Sequence, residues 1–211
     1  MSSDHDLLYQ NQILPRVSRT FALTIPQLPA GLEEVVSNAY LLCRLADTIE
    51  DDPELDAQLK SAFMAEFLSV IGANANADEF STRLTAHLSN RTRRADRELV
   101  ENTAAVVRVL ARFTPTQRQA VIRCVTTMCE GMPEFQTGKT LDGLPALVDL
   151  YRYCYFVAGI VCEMLTDLFC EHCPELEGHR DELMVLSVCF GQGLQMTNIL
   201  KDIWEDRDAN T

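Results

Sequence analysis

Apolar side chains recur at three- and four-residue steps along almost the whole of this 211-residue chain, and strand-like alternation bounded by turn pairs is hard to find. A chain patterned this way hides its apolar stripes by packing helix on helix, so an all-α fold is expected. From Leu32 the run EEVVSNAYLLCRLADTIE keeps the spacing until Asp52-Pro53, where the proline ends it. Further helices are predicted from Leu55 to Ile71, Glu79 to Leu88 and Arg94 to Phe113. They are divided by the polar break GANANAD and by the basic stretch NRTRR, which reads as solvated surface. Thr114-Pro115-Thr116-Gln117 combines an N-cap, a proline at the first helical position and the glutamine of a capping box, opening a helix that runs to about Cys129. The Gly and Pro residues of EGMPEFQTGKTLDGLP mark a loop, and helices from Leu147 to Phe169 and from Asp181 to Trp204 follow. No repeat, low-complexity tract or composition shift marks a boundary, so one domain over 1–211 is expected. A hydrophobic content of 47% is ample for its core.

A formal net charge of -13 argues against a nucleic-acid binder, since phosphate contacts are made by clustered Lys and Arg. An acidic chain that binds an anion needs metal or local arginines. No apolar stretch approaches the roughly 20 residues of a membrane span, and the polar start MSSDHDLLYQNQ lacks signal-peptide character. A cytoplasmic chain is the expectation. Eight cysteines lie scattered in apolar helical sequence, and Cys43, Cys124, Cys154, Cys162 and Cys189 read as buried free thiols in a reducing compartment. Cys170-Glu-His-Cys173 has the spacing of half a zinc site, without a matching second half.

Two aspartate pairs break the pattern of a purely structural helical chain: Asp47 and Asp51 in RLADTIEDD, Asp202 and Asp206 in NILKDIWED. Residues four apart share one helix face, so each pair sets like charges roughly 5–6 Å apart, which is unfavourable unless something neutralises them. Mg²⁺ suits: it takes one or two carboxylates and completes its shell with water and phosphate oxygens. The first pair also lies in a helix's last turn, where acids oppose the helix dipole. Tyr40 and Arg44 share its face, and Arg44 could equally pair with Asp47 or Asp51 in a simple surface salt bridge. On the last helix Gln195, Asn198, Asp202 and Asp206 form one stripe among apolar neighbours, either facing inward toward metal or lying on a solvated face. Ser18-Arg19-Thr20-Phe21 sets a guanidinium and two hydroxyls beside a phenyl ring, a group suited to phosphate oxygens.

In order along the chain, VSRTFALTIPQLP, YLLCRLADTIEDD, CEGMPEF, YCYFVAGIV and LQMTNILKDIWED resemble the motifs of the squalene/phytoene synthase family, the head-to-head trans-isoprenyl diphosphate synthases. The resemblance runs from about Val17 to Asp206, and SRTFA and YCYFVAG are more similar to squalene than to phytoene synthases. It implies a helical bundle of the isoprenoid synthase type around a central apolar cavity, with both aspartate motifs at the mouth. Asp47, Asp51, Asp202 and Asp206 would hold Mg²⁺ against the diphosphates of a prenyl diphosphate substrate, with Glu50 and Glu205 nearby. Ser18, Arg19 and Arg44 match diphosphate-contacting positions, and Gln195 and Asn198 match the amides before the second motif. Tyr40 and Tyr153 match tyrosines near the reacting carbons, while Phe21, Ala158 and Gly159 would line the cavity.

The implied reaction joins two farnesyl diphosphates through presqualene diphosphate and, with hydride from NADPH, gives squalene. Relatives without the hydride step give phytoene or dehydrosqualene. Greasy substrates and products suit peripheral contact with a membrane; the oligomeric state is left open. Lys201 stands where the family commonly has arginine, exchanging a bidentate fork for a point charge. Cys162 stands where a glycine is usual, so backbone packing there is expected to differ. Members of the family continue through further helices after the second motif, so an open cavity and exposed apolar surface are expected of these 211 residues taken alone. Rival readings are another terpenoid enzyme with aspartate-rich helices and a non-catalytic helical scaffold.

Overall fold

The computed structural model describes the backbone of residues 2–18, 20–135 and 144–209, with side chains in those stretches from Asp4 to Lys201. All regular structure among them is helical. The chain divides into two compact units, Met1–Val125 and Thr126–Thr211.

In the first unit, α1 (Ser2–Val17) leads through a single turn, α2 (Phe21–Thr24), and a 3₁₀ turn (Ile25–Gln27) into α3 (Leu32–Asp51). Then come α4 (Ala57–Ile71), α5 (Ala77–His87), α6 (Arg94–Glu101) and α7 (Thr103–Leu110). Helix α3 is the centre of this unit: α1, α4, α6 and α7 all pack on it, and Leu41, Leu42, Leu45 and Ile49 are wholly buried. Its end falls at Asp51, with Asp52 extended before Pro53, as the proline dictates. Asp56 and Asn76 cap α4 and α5 by accepting first-turn N–H groups.

Two parts of this unit depart from the sequence pattern. Helix α1 forms although Pro15 lies inside it, two residues from its end, where little helix remains to be broken. Tertiary contacts hold it: Ile13, Leu14 and Val17 are buried, Arg108 grips Asp6 at 2.7 and 2.8 Å, and Asn38 donates to Gln10 at 2.9 Å. The helix expected from Arg94 to Phe113 is broken at Asn102, with φ -109° and ψ 23°. Its side-chain amide donates to the Glu98 carbonyl at 2.8 Å, competing with the helical ladder as asparagine does.

Helix α8 (Pro115–Gly131) runs from the first unit into the second. It opens with the capping box expected: Thr114 Oγ1 accepts from Gln117 N at 3.1 Å and Gln117 Oε1 accepts from Thr114 N at 3.2 Å. In the second unit a 3₁₀ turn (Met132–Phe135) precedes α9 (Leu147–Cys154), which continues through a π-helical turn (Tyr155–Gly159) into α10 (Ile160–His172). After a 3₁₀ turn (Pro174–His179), α11 spans Arg180–Ala209. Residues 136–143, half of the expected loop, lie outside the described part.

Two expectations need correction. The segments Leu147–His172 and Pro174–Lys201, with mean hydropathy 1.5 and 1.4, are long and apolar enough to cross a membrane by length and composition. In the first, 44% of the apolar window is buried by the protein itself, as in a core helix; in the second, 6% is. The cysteines are free, but they are not uniformly buried: Cys124 and Cys154 are, Cys43 and Cys162 are half-buried, and Cys189 is exposed. Cys189 sits on α11 near Val185, Leu186 and Phe190, which are also exposed, so an apolar sequence context did not place it inside.

Candidate functional site

Tyr40, Arg44, Asp47 and Asp51 follow one another along α3 at four-, three- and four-residue steps. Tyr40 is half-buried, its hydroxyl donating to the Val17 carbonyl at 3.4 Å and its ring 5.5 Å from that of Phe21. Phe21 is held there because Ser18 Oγ accepts its backbone N–H at 3.0 Å, starting the α2 turn. Ser18 is buried and Phe21 is 50% exposed. The fold thus brings Ser18, Phe21 and Tyr40 to one place beside α3. Arg19 lies outside the described residues.

Arg44 does form the ion pair with Asp47 that its spacing allows, but a loose one, and its hydrogen bonds go elsewhere. Its Nε and Nη2 donate to Asp96 Oδ1 and Oδ2, both at 3.0 Å, while Nη1 stands 3.9 Å from Asp47 Oδ2. Asp96 is buried and receives a second fork, Arg93 Nε at 2.7 Å and Nη2 at 3.0 Å. Burial alone would raise the Asp96 carboxyl, but Arg44 and Arg93 hold it below its ordinary range. Burial also works against the Arg44 charge, and its bonds to Asp96 more than offset this. The NRTRR stretch is therefore not merely solvated surface: Arg93 reaches Asp96 and, at 3.4 Å, the Val17 carbonyl, and the Thr92 hydroxyl donates to Asp52 at 2.7 Å.

The acids of EDD divide their roles. Asp52 is buried, accepting from Glu54 N at 2.9 Å, Ser89 N at 2.8 Å and Thr92 Oγ1 at 2.7 Å. Asp51 is exposed and Asp47 half-buried. Burial pushes the Asp47 carboxyl up to about 7; Arg44 opposes the rise, and Asp51, Glu50 and Asp96 add to it. The unfavourable acidic helix end is partly offset by Lys60 Nζ, which donates to the Glu50 carbonyl.

Among the described residues, no group of three or more His, Cys, Asp or Glu gathers closely enough to hold a metal on its own. The donor chemistry of Asp47 and Asp51 nevertheless fits Mg²⁺. Two carboxylates on one face, one of them with its charge disfavoured by burial, are what that ion takes when phosphate and water supply the rest.

In the second unit, the CEGMPEF and YCYFVAG motifs pack on each other. A Cβ at Gly131 would fall 2.1 Å from Phe156 Cδ1, so only glycine admits that ring. Phe135 meets Tyr153 at 5.5 Å and Phe156 at 6.1 Å. The π turn coincides with YFVAG, Ile160 N donating to the Tyr155 carbonyl five residues back. Ala158 and Gly159 lie in this turn. A Cβ on Gly191 of α11 would fall 2.7 Å from the Ala158 carbonyl oxygen and 3.0 Å from Cys162 Sγ, so a glycine on the opposite helix makes room for the unusual cysteine.

On α11, Gln195 is half-buried while Asn198, Lys201, Leu194 and Leu200 are exposed, so this part of the stripe does not face a closed interior. Asp202, Glu205 and Asp206 stand on α11, but their side chains lie outside the described residues. Sequence reasoning missed Asp52, Arg93 and Asp96. The only local sign was that Arg93 and Asp96 are three residues apart at a helix start.

The family model described as squalene/phytoene synthase matches residues 14–211. A squalene synthase of Botryococcus braunii is 33% identical over 207 residues, covering 96% of this chain and 41% of the relative. Squalene synthases of a Phoma species and of Candida albicans are 32% and 29% identical, covering 92% and 97% of this chain and 44% of each relative. The chain thus spans less than half the length of these curated relatives. A solved complex of TcSQS with the ligand BPH1237 superposes with a TM-score of 0.81 at 29% identity, covering 96% of this chain and 55% of that one.

Proposed function

The chain belongs to the squalene/phytoene synthase family, and we propose from that premise that it serves head-to-head condensation of two farnesyl diphosphates through presqualene diphosphate to squalene. The observation that carries this reading is the face of α3, where Phe21, Tyr40, Arg44, Asp47 and Asp51 line up from aromatic to cationic to acidic. Mg²⁺ held by Asp47 and Asp51, and by Asp202 and Asp206, would supply positive charge against the departing diphosphate. Glu50 and Glu205 neighbour those aspartates in the two sequence motifs.

The chain's own residues supply the rest. Arg44, with Ser18, Arg19, Gln195, Asn198 and Lys201, binds and orients the diphosphates, and charge placed in advance where the leaving group develops it lowers the barrier. Tyr40 and Tyr153 present ring faces to the allylic cation, and Phe21 excludes water from it. Reduction by NADPH belongs to this reading, although no described residue is assigned to it. Peripheral contact with a membrane suits the exposed apolar residues Val185, Leu186 and Phe190 of α11.

Incubation with Mg²⁺ and either farnesyl or geranylgeranyl diphosphate, with and without NADPH, followed by identification of the lipid, tests the proposal. Squalene only with NADPH is expected. Dehydrosqualene or phytoene would move the assignment to the branch without hydride transfer. If no lipid forms, Mg²⁺-dependent thermal stabilisation by a non-hydrolysable farnesyl diphosphate analogue still separates a binding site from a scaffold, because a ligand bound to the native state raises apparent stability.

A further inference from the structure

Three side chains from two helices form a closed cluster: Arg44 on α3, and Arg93 and Asp96 at the start of α6. Asp96 is 4% exposed at its side chain, Arg44 23% and Arg93 49%, so the carboxylate is the hidden centre and Arg93 the more exposed of the two arginines. Two guanidiniums thus converge on one carboxylate, with Asp47 facing Arg44 from the same helix at 3.9 Å. A single arginine would already neutralise Asp96, so charge balance alone does not account for the second fork.

The geometry leaves one end of Arg44 held only by a loose ion pair to Asp47. Its Nε and Nη2 are engaged by Asp96, whereas Nη1, 3.9 Å from Asp47, is too far for a hydrogen bond. Arg93 is itself fixed from behind. Asp52, one residue past the end of α3, holds Ser89 and Thr92, so the loop before Arg93 is tied to the helix that carries Arg44 and Asp47.

We propose that Asp96, clamped by Arg93, is the positioning residue of the diphosphate site, fixing the plane of Arg44 so that its Nη1 is preset beside Asp47 for a phosphate oxygen. This rests on the functional reading above. Arg93 acts on Arg44 through Asp96, so removing it loosens Arg44; its long bond to the Val17 carbonyl, 3.4 Å, is separate from that route, and once Arg44 is absent the route through Asp96 has nothing left to position.

The test is calorimetric titration of the 211-residue chain with inorganic diphosphate in the presence of Mg²⁺, for the unaltered chain, Arg93→Ala, Arg44→Ala and the double variant. Arg93→Ala is expected to weaken binding about tenfold, the scale of lost support behind a ligand-holding residue. The double variant is expected to bind no more weakly than Arg44→Ala alone. Arg93→Lys should not restore affinity, because a point charge cannot replace the fork on Asp96. Additive losses, rescue by lysine, or unchanged binding in Arg93→Ala would each overturn the inference. Should Arg93→Ala fold poorly, Asp96→Asn, which keeps the side-chain shape, must show the same non-additivity with Arg44→Ala. If the unaltered chain takes up no diphosphate at all, the functional reading fails and the inference falls with it; if it binds and Arg93→Ala binds equally well, only the inference fails.

Discussion

Asp52 Oδ2 accepts the backbone N–H of Ser89 at 2.8 Å, joining the end of α3 to a loop 37 residues further on. The same oxygen takes the Thr92 hydroxyl at 2.7 Å, and Oδ1 takes the Glu54 N–H. In a run of three acids, one is thus a structural tie, although the sequence offers no mark that separates it from its neighbours.

Replacing Asp52 with Ala should therefore destabilise the fold. The change strands a buried N–H and a hydroxyl, each costing about 1–3 kcal/mol, so a loss of about 2–6 kcal/mol is expected in chemical denaturation. A change within about 0.5 kcal/mol, typical of an ordinary surface position, would contradict the role.

Asp47→Asn should do the opposite. It removes a carboxyl whose charge is disfavoured by burial and by Asp51 and Glu50, so the fold without Mg²⁺ should be as stable as before or more so. Mg²⁺-dependent binding of a farnesyl diphosphate analogue should nonetheless largely disappear. Because the folded pKa stands near 7, above the ordinary 3.8, the folded chain holds this proton longer than the unfolded chain does. Stability from this group thus falls as pH rises from about 4 to 7, and Mg²⁺, competing with the proton, should bind more tightly across the same interval. The side chain remains 38% accessible, so water moderates the effect. Undiminished Mg²⁺-dependent binding in the variant would exclude Asp47 as a ligand.

Acid should unfold the protein through different carboxyls. Burial would raise Asp52 and Asp96, but hydrogen bonds from Thr92, Glu54 and Ser89 in the one case, and from Arg44 and Arg93 in the other, hold both below 3.8. Below about pH 5 the unfolded chain therefore takes up these protons first. The stability they contribute is complete above the ordinary pKa and lost as pH falls through the depressed folded values. Midpoints of urea unfolding should drop steeply from pH 5 to pH 3, and Asp52→Asn should flatten that slope. Parallel curves for the two proteins would refute the assignment.

What could be read from the sequence was local chemistry. Thr114 and Gln117 cap α8 as their spacing demands, and Pro53 stops α3 where a proline must. Helix α1 was invisible because its stability comes from distant partners, Arg108 on Asp6 and Asn38 on Gln10, while its own sequence carries the discouraging Pro15. The candidate site divides the same way. Tyr40, Arg44, Asp47 and Asp51 fell on one face by periodicity alone, but the grip of Asp96 on Arg44 spans 52 residues and has no sequence period. The π turn at Tyr155–Gly159 was equally hidden, since an extra residue in a helical turn leaves the apolar pattern nearly unchanged.

Two glycines on α11 make a matched test of that turn's packing. At Gly191 a Cβ would meet the Ala158 carbonyl oxygen at 2.7 Å, its carbonyl carbon at 2.9 Å and Cys162 Sγ at 3.0 Å, whereas at Gly193 nothing lies within 4 Å. Backbone atoms cannot turn aside as a flexible side chain can. Gly191→Ala must therefore push α11 away from the π turn and should cost about 1–3 kcal/mol, the range for overpacking. Gly193→Ala places a better helix former in open space and should stabilise by about 0.5–1 kcal/mol. Pairing Gly191→Ala with Cys162→Gly should recover only the part of the loss due to sulfur, leaving the carbonyl clash. Full recovery would mean that Cys162 alone sets the separation of the two helices, and equal effects at Gly191 and Gly193 would mean that they do not touch there.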